Sequence, residues 1–529
     1  MNDSYGLNDY SFDEFLEQRK KVDFYGDDTY LQKVAAHYAG RDAERLHVSL
    51  VDFSTVLSTR WAKLAEGITR AEVQPFMQHF DAYGHRIDRI VRPLEMLQLE
   101  REVFREGLFS STTHPLESYT KRLLLNELGD VGLNCPIACT DGLVTLLRSY
   151  ATVDSPELMQ ILKHASDGID GEFAIGAQFM SERQGGSDIP ANVLEAVPDG
   201  RVYRLYGNKF FCSVTHADYA VVTARVSGTS KISVFVVPTW LPGDKEKERR
   251  NGHVVNRLKS KLGTRELPTA EIDYHGAVAY PVGEQGKGVS IAVAMVLTKS
   301  RLDIGGASAA YMLRAFREAN LYANFYANFR TVFGKRIVDY PLAARQLREL
   351  RLVAERTTAG ALDVFHHYQS ASAQGSDEAL RRRVFQSREL VLMQKITAAQ
   401  DAVDAIRKAI SLYGGHGIME DFSCLPRLLR DAMINELWEG PKNLLLTQIY
   451  RDLHRVSSWY SATQFAFDIL QGLDEGRIRS YACELETLLA EPLTEAPSDH
   501  LLDVAEEFEK LCMGMFRARQ ELARCRVEG

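Results

Sequence analysis

A chain of 529 residues is too long for one compact core, so we expect two to four domains. A hydrophobic share of 45% and a charged share of 25% are those of an ordinary globular protein, which excludes general disorder. The formal net charge of −8 does not call for a polyanionic partner, and seven cysteines without metal-ligand spacing suit a reducing compartment. The polar, acidic first ten residues are unlike a secretory leader, so we expect a cytoplasmic protein without a membrane span.

Apolar residues at helical spacing dominate the chain up to about residue 172. They predict helical stretches at 12–22, 30–39, 71–104 and 116–147, with prolines breaking the two longer ones. We assign residues 1–60 to an N-terminal extension and residues 61–172 to an N-terminal α-helical domain.

The periodicity changes to that of strands between residues 173 and 285. Short β-branched and aromatic segments, separated by Gly, Pro, Asp and Ser, predict strands at 203–209, 219–226, 232–237 and 270–274. We expect a small β-barrel or sandwich there, then a C-terminal four-helix bundle over 286–450 and a further helical domain over 451–529. The fold class is therefore α+β, mainly α.

A lone carboxylate stands in the segment that follows the helical run of the bundle. Glu439 lies between Trp438 and Gly440, downstream of a turn at Gly414 and Gly415. A carboxylate that is partly removed from water gains the basicity of a general base, although a solvated glutamate at a helix end is the common alternative.

A second motif begins the β-region, at residues 178–188. It contains Met180, Ser181, Gly186 and Ser187. The glycine lets the backbone approach a bulky ligand, while the hydroxyls and amides can bind an anion or a heterocycle. A turn that only connects two elements is the alternative reading.

Two further motifs combine aromatic and polar side chains. Phe211 and Ser213 share one face of a strand, so Phe211 could stack on a flat ring. Arg330 and Phe333 lie three apart before a glycine, which suits a pyrophosphate with an adjacent ring. An ordinary strand and a solvated helix end are the respective alternatives.

The order of all four motifs, within a helix–β–helix arrangement, resembles the acyl-CoA dehydrogenase superfamily of flavoproteins. Ser181-Glu182 with Gly186-Ser187-Asp188 is similar to its Thr/Ser-Glu and Gly-Ser-Asp signature. The variant spellings and the extensions at both ends are similar to the long AidB-like branch. The resemblance covers about residues 60 to 455.

This resemblance implies FAD as the cofactor. It implies that Met180 and Ser181 meet the isoalloxazine edge, that Gly186 and Ser187 lie at the pyrophosphate, and that Phe211 and Ser213 lie beside the ring. It also implies that Arg330, Phe333, Gly414 and Gly415 reach the FAD of a neighbouring subunit, which makes a homotetramer or dimer a condition of cofactor binding.

The resemblance further implies that Glu439 removes the α-proton of an acyl thioester, carried by CoA or a carrier protein, while the β-hydride passes to flavin N5. Arg301, Trp438 and Gly440 would border this substrate, although a helical arginine that caps a carbonyl is the alternative for Arg301. An electron-transfer flavoprotein would accept the electrons, and the implied role is in fatty acid metabolism.

Two alternatives remain on the same fold, an oxygen-using flavin oxidase or monooxygenase, and an AidB-like nucleic-acid-associated flavoprotein with little turnover. Residues 451–529 contain nine lysines and arginines against fifteen aspartates and glutamates. That acidic excess argues against a surface that follows phosphates, so we do not expect a nucleic-acid partner.

Overall fold

The structure is a computed structural model that describes residues 11–325, 332–371 and 377–529. Within these ranges the chain is mainly helical with a β-sheet region between two helical parts, which confirms the predicted fold class. The elements that precede the central sheet are α1 (Asp13–Lys20), α2 (Thr29–Ala39), α3 (Ala43–Val56), α4 (Ala62–Ile68), the hairpin β1 (Phe76–Phe80) and β2 (Arg86–Val91), α5 (Leu94–Phe104), α6 (Pro115–Asn126), α7 (Asn134–Tyr150) and α8 (Pro156–Ser166).

The hairpin corrects the helical prediction for residues 71–104, of which only α5 and a short 3-10 turn are helical. Between its antiparallel strands the Asp81 carboxylate accepts hydrogen bonds from the amides of Tyr83 (2.8 Å) and His85 (2.9 Å). Such an Asx turn reverses the chain, and the apolar spacing of this segment does not reveal it.

The central sheet closes on itself. Strand β6 pairs with β4 on one edge and with β7 on the other, and the β4–β5, β5–β9 and β9–β7 pairings complete the ring. Strands β3 and β8 are added to it at β6 and β9. The region is therefore a small barrel, and its strands are β3 (Gly176–Phe179), β4 (Glu195–Asp199), β5 (Val202–Ser213), β6 (Tyr219–Val226), β7 (Ile232–Pro238), β8 (His253–Leu258) and β9 (Thr269–Val282).

Long helices follow the barrel. Helices α10, α11 and α12 pack on one another, and α13 crosses α10 and α12. The elements of this part are α9 (Gly288–Ile291), α10 (Thr298–Phe325), α11 (Pro341–Ala371), α12 (Glu378–Tyr413), α13 (Leu425–Leu437), α14 (Lys442–Val456), α15 (Ala462–Ile469), α16 (Glu475–Leu489) and α17 (Asp499–Glu528).

The last helix, α17, is joined to the bundle along α11 and α12. Arg519 pairs with Asp363 at 2.8 Å, and Arg517 pairs with Asp401 at 2.7 Å. At Gly360, helices α11 and α17 approach so closely that an added Cβ would lie 2.6 Å from the Gln520 side chain. In the described residues we find no helix with the length and apolar character that crossing a membrane requires.

Candidate active site

A cavity of about 910 Å³ lies between the barrel and helices α7, α10, α13 and α14. Most of the predicted site residues line this cavity, although they come from distant parts of the sequence. They are Met180, Ser181, Gly186, Ser187, Phe211, Ser213, Arg301, Trp438, Glu439 and Gly440.

The loop 438–441 joins α13 to α14 and carries Glu439 to the cavity wall. Glu439 has a φ of 59°, which residues other than glycine rarely adopt and which costs roughly 1–3 kcal/mol. Lys395 on α12 donates hydrogen bonds to the carbonyls of Glu436 (2.8 Å) and Gly440 (2.6 Å), one on each side of this residue. Arg301 donates from Nε to the carbonyl of Glu439 (3.0 Å). These cationic hydrogen bonds hold the strained loop in place.

The carboxylate of Glu439 has few partners. Its Oε1 accepts a hydrogen bond from Nε2 of Gln178 at 2.7 Å. Burial raises the pKa of Glu439 above its usual value, against the opposing effects of Arg301, Lys395 and the Gln178 bond. A carboxylate with a raised pKa, facing a cavity, has the properties of a general base.

Lys395 is fully buried, with 0% of its surface exposed. Burial lowers its pKa to about 7, while Glu439 acts in the opposite direction. The sequence pattern does not reveal this residue, because a lysine within the amphipathic helix α12 has the pattern of a solvated position. Its partners lie on α13 and in the loop that follows it, and only the tertiary structure reveals them.

The barrel side of the cavity begins with a turn after β3 whose carboxylate, Glu182, is fully bonded. It accepts hydrogen bonds from Lys209 (2.9 Å), Asn192 (2.7 Å) and the amide of Val193 (2.7 Å). Burial alone would raise the pKa of Glu182, but Lys209 and these bonds bring it below its usual value. Glu182 therefore stays ionised and fixes the turn that presents Ser181.

The same turn brings Gly186 directly against the side chain of Ser181, which a residue with a Cβ would not allow. A Cβ at Gly186 would lie 2.1 Å from the Oγ of Ser181. Farther along the wall, Phe211 is 53% exposed, and the Oγ of Ser213 lies 3.0 Å from the Oγ1 of Thr269. An open aromatic ring beside hydroxyls can hold a flat ligand that carries polar edges.

One end of the cavity is basic, and we name it the basic end. It is lined by Arg388, Arg451 and Arg455, and the first and last of these also line a neighbouring surface pocket. Arg388 and Arg455 share Asp452 as their ion-pair partner, with Arg455 at 2.8 Å. Arg388 also lies 3.9 Å from Glu389, but burial and Asp452 raise the pKa of that carboxyl well above its usual value, so the arginines exceed the ionised carboxylates here.

The other end is lined by buried polar side chains, and we name it the polar end. Asn435 precedes Glu439 by one turn of α13 and Arg451 follows it on α14, so the two sets of residues are joined to Glu439 through different helices. The residues of the polar end are Asn126, Asp130, Asn134, Tyr311 and Asn435.

Three predicted cofactor residues that the structure describes do not line the cavity. Phe333 is 95% exposed, and Gly414 and Gly415 lie on the surface, where no atom within 4 Å would meet an added Cβ. Arg330 lies outside the described residues.

Two sequence profiles match the chain. "Acyl-CoA dehydrogenase, middle domain" matches residues 177–276, and "Acyl-CoA dehydrogenase, C-terminal domain" matches residues 286–454. Together they contain the barrel residues and the loop that carries Glu439.

Two curated relatives resemble the chain over most of its length. Acyl-CoA dehydrogenase family member 11 of Caenorhabditis elegans is 31% identical over 405 residues, which are 72% of this chain and 62% of that protein. AidB of Escherichia coli is 29% identical over 423 residues, 76% of this chain and 73% of its own length. The chain thus matches less than two thirds of the nematode protein.

Two solved structures share the fold. Caenorhabditis elegans ACDH-11, in complex with C11-CoA, has a TM-score of 0.76 at 24% identity, over 95% of this chain and 90% of that one. A Bacillus anthracis acyl-CoA dehydrogenase complexed with FAD has a TM-score of 0.65 at 18% identity, over 82% of this chain and 79% of that one.

Proposed function

Because the chain belongs to the acyl-CoA dehydrogenase family, we propose that it is a FAD-dependent enzyme that introduces an α,β double bond into an acyl-CoA thioester. The observation that carries this proposal is the Glu439 carboxylate, which faces the cavity with a raised pKa and a backbone held by Lys395 and Arg301. A carboxylate with only a structural role would have both oxygens occupied by donors, as Glu182 has.

The barrel wall fits the cofactor. The hydroxyls of Ser181 and Ser187 and the open ring of Phe211 suit an extended dinucleotide with a flat ring system, and Met180, Gly186 and Ser213 border the same space. When bound, FAD would accept the hydride that leaves the β-carbon. A family member of known structure is complexed with FAD, which supports the same assignment.

Glu439 takes the α-proton. Gln178 occupies Oε1, so the proton can pass to Oε2 while the carboxylate stays oriented. The α-carbon of a thioester is a weak acid, and the negative charge that develops on its carbonyl oxygen needs a hydrogen-bond donor. The amide N–H of Glu439 has no acceptor among the described residues, and we assign it to that oxygen.

The different charges of the basic end and the polar end orient the substrate in the cavity. The phosphates of CoA lie at the basic end, because arginines bind phosphate through paired hydrogen bonds. The acyl group then extends past Arg301, Trp438 and Gly440 toward the other end. Relatedness to ACDH-11, whose structure contains C11-CoA, supports CoA as the carrier.

The exposed residues Phe333, Gly414 and Gly415 serve a neighbouring subunit in this proposal. Together with Arg330 they would contact that subunit's FAD in a homodimer or homotetramer. An electron-transfer flavoprotein would reoxidise the cofactor.

Anaerobic bleaching of the flavin by a panel of acyl-CoA thioesters tests the function. We expect bleaching by at least one thioester, slow recolouring in air and rapid recolouring with an electron-transfer flavoprotein. Rapid recolouring by oxygen alone would indicate an oxidase instead. If no thioester bleaches the flavin, the dehydrogenase function is wrong.

A further inference from the structure

The polar end is unusual for a cavity that receives a hydrocarbon chain. Its five side chains come from α6, α7, α10, α13 and the loop after α6, and each residue is at most 8% exposed. Burying polar groups costs free energy unless they are hydrogen-bonded, so an acyl chain with a plain methyl end would leave this region poorly matched.

Several of these groups lack partners among the described residues. The Nδ2 of Asn435 and the Oδ1 of Asn134 are buried without a hydrogen bond. The hydroxyl of Tyr311, a residue with 2% exposure, likewise bonds to none of the residues that the structure describes. A donor, an acceptor and a hydroxyl that can serve as either are therefore placed together at one end of the cavity.

The charges nearby indicate a neutral ligand group. Arg122 lines the cavity but is engaged by Asp141 (2.9 Å) and Asp303 (2.6 Å). Lys261 donates to the Oγ1 atoms of Thr264 and Thr269, both at 3.0 Å, and to a backbone carbonyl.

The polar end also contains one acidic residue, Asp130, whose pKa is raised to about 7 by burial and by the neighbouring Asp431. An added carboxylate would meet Asp130 and engaged cations, so a negatively charged group is disfavoured.

The spacing from the base sets the length of the acyl group. Tyr311 follows Arg301 by ten positions on α10, a distance of roughly 15 Å along the helix. The polar end therefore begins at Asn435, about one helical turn before Glu439, and extends as far as Tyr311, so the far end of a medium-length acyl group lies within it.

We infer that the acyl group bound here has medium length and carries a neutral polar group, such as a hydroxyl or an amide, at its far end. This inference rests on the proposed function for the placement of the thioester at Glu439. It adds the class of acyl chain, which the catalytic residues do not determine.

Binding separates this inference from the dehydrogenase activity. The FAD-loaded Glu439→Gln protein, in which turnover is blocked, is titrated calorimetrically with decanoyl-CoA, ω-hydroxydecanoyl-CoA and the ω-carboxylated decanoyl-CoA. We expect the hydroxylated thioester to bind about tenfold more tightly than decanoyl-CoA, and the carboxylated one most weakly. Equal or tighter binding of decanoyl-CoA overturns the inference, as does binding of none of the three.

Two tyrosine variants in the same background sharpen the test. Tyr311→Phe removes a hydroxyl without a bond in the described protein, so the fold is retained and the tenfold preference falls to about twofold. Tyr119→Phe is the control, since Tyr119 is equally buried, donates to the carbonyl of Leu302 (3.3 Å) and lies outside the cavity lining. It should keep the preference. A Tyr311→Phe protein that also keeps it would contradict the assignment.

Failure of the function gives a different result. If no thioester bleaches the flavin of the wild-type protein but ω-hydroxydecanoyl-CoA still binds selectively, the inference about the polar end stands and the dehydrogenase function is rejected.

Discussion

Two glutamates on opposite sides of one cavity have opposite environments. Glu182, on the barrel side, accepts hydrogen bonds from a lysine, an asparagine and backbone amides, and its pKa is lowered. Glu439, on the helical side, has one side-chain donor, Gln178, and its pKa is raised. The difference lies in the number of donors on the carboxylate, since both are removed from water.

The cationic side chains near Glu182 and near Glu439 bind to different groups. Lys209 bonds to the Glu182 carboxylate itself, whereas Lys395 and Arg301 bond to backbone carbonyls around Glu439. In the second arrangement the cations fix the position of the side chain but leave its oxygens available. This difference is what we expect between a carboxylate with a structural role and one that acts as the proposed base.

The largest expected effect is that of Glu439→Gln on the chemical step. We expect the rate of anaerobic flavin reduction to fall by three to four orders of magnitude, about the contribution of a general base. Stopped-flow absorbance measures this rate. Retention of the FAD spectrum by the variant is the control for cofactor binding.

Lys395→Met tests whether the loop must be held. We expect a fall of about a hundredfold in kcat with KM within about twofold, because the carbonyls of Glu436 and Gly440 lose their donor and the base is displaced. Lys395→Arg should recover part of the rate, since a guanidinium can donate to both carbonyls. A Lys395→Met variant with wild-type kcat would show that the loop 438–441 keeps its position without the hydrogen bonds of Lys395.

Protein stability should respond in opposite directions at the two glutamates. Glu182→Gln leaves the buried Lys209 without its ion pair, so we expect a loss of about 3 kcal/mol in the free energy of unfolding at neutral pH. Glu439→Gln should leave that free energy unchanged or raise it by about 1 kcal/mol. Urea denaturation measures both.

The pH dependence of these differences follows from the two pKa directions. Since the pKa of Glu182 is lowered on folding, its stabilisation is present above the unfolded pKa and is lost as the pH falls, so the gap between wild type and Glu182→Gln narrows in acid. For Glu439 the folded pKa is raised, and wild-type stability relative to Glu439→Gln falls as the pH rises through that pKa. Parallel curves for the two variants would contradict the comparison.

The smallest effect is expected for Gln178→Met, which keeps the side-chain length and removes the donor to Glu439. That bond favours the ionised carboxylate, so its loss raises the pKa of Glu439 and moves the acid limb of the rate profile to higher pH. We expect a rate about tenfold lower at pH values below the pKa of Glu439 and an equal rate well above it. If the acid limb of the pH–rate profile does not move, Gln178 does not influence the pKa of Glu439.

Much of this site is predictable from sequence, because ligand-facing residues stand in short motifs. Ser181, Phe211, Ser213 and Glu439 were selected in that way, and all four line the same cavity. Their catalytic and binding roles stay predictions. The mainly helical fold with a central barrel is predictable as well, since the change from helical to strand periodicity is strong.

The residues that tune the site are not predictable in the same way. Lys395 and Gln178 act through partners on other elements, and the Nδ2 of Asn435 has no partner among the described residues. Nothing in the local sequence of Lys395 or Asn435 distinguishes them from ordinary helix positions. The hairpin within residues 71–104 was misread as helix because the Asp81 turn outweighs apolar spacing. Long-range packing and side-chain turns are what the sequence patterns omit.

Exchange of the α-hydrogen with solvent is the most direct test of Glu439 as the base. An acyl-CoA with sulfur in place of the β-carbon cannot lose a hydride, so in deuterated water only proton removal and return are observed, by mass spectrometry of the recovered thioester. We predict exchange with the wild-type protein and a loss of at least a thousandfold in Glu439→Gln. Exchange at the wild-type rate in Glu439→Gln would contradict the central claim.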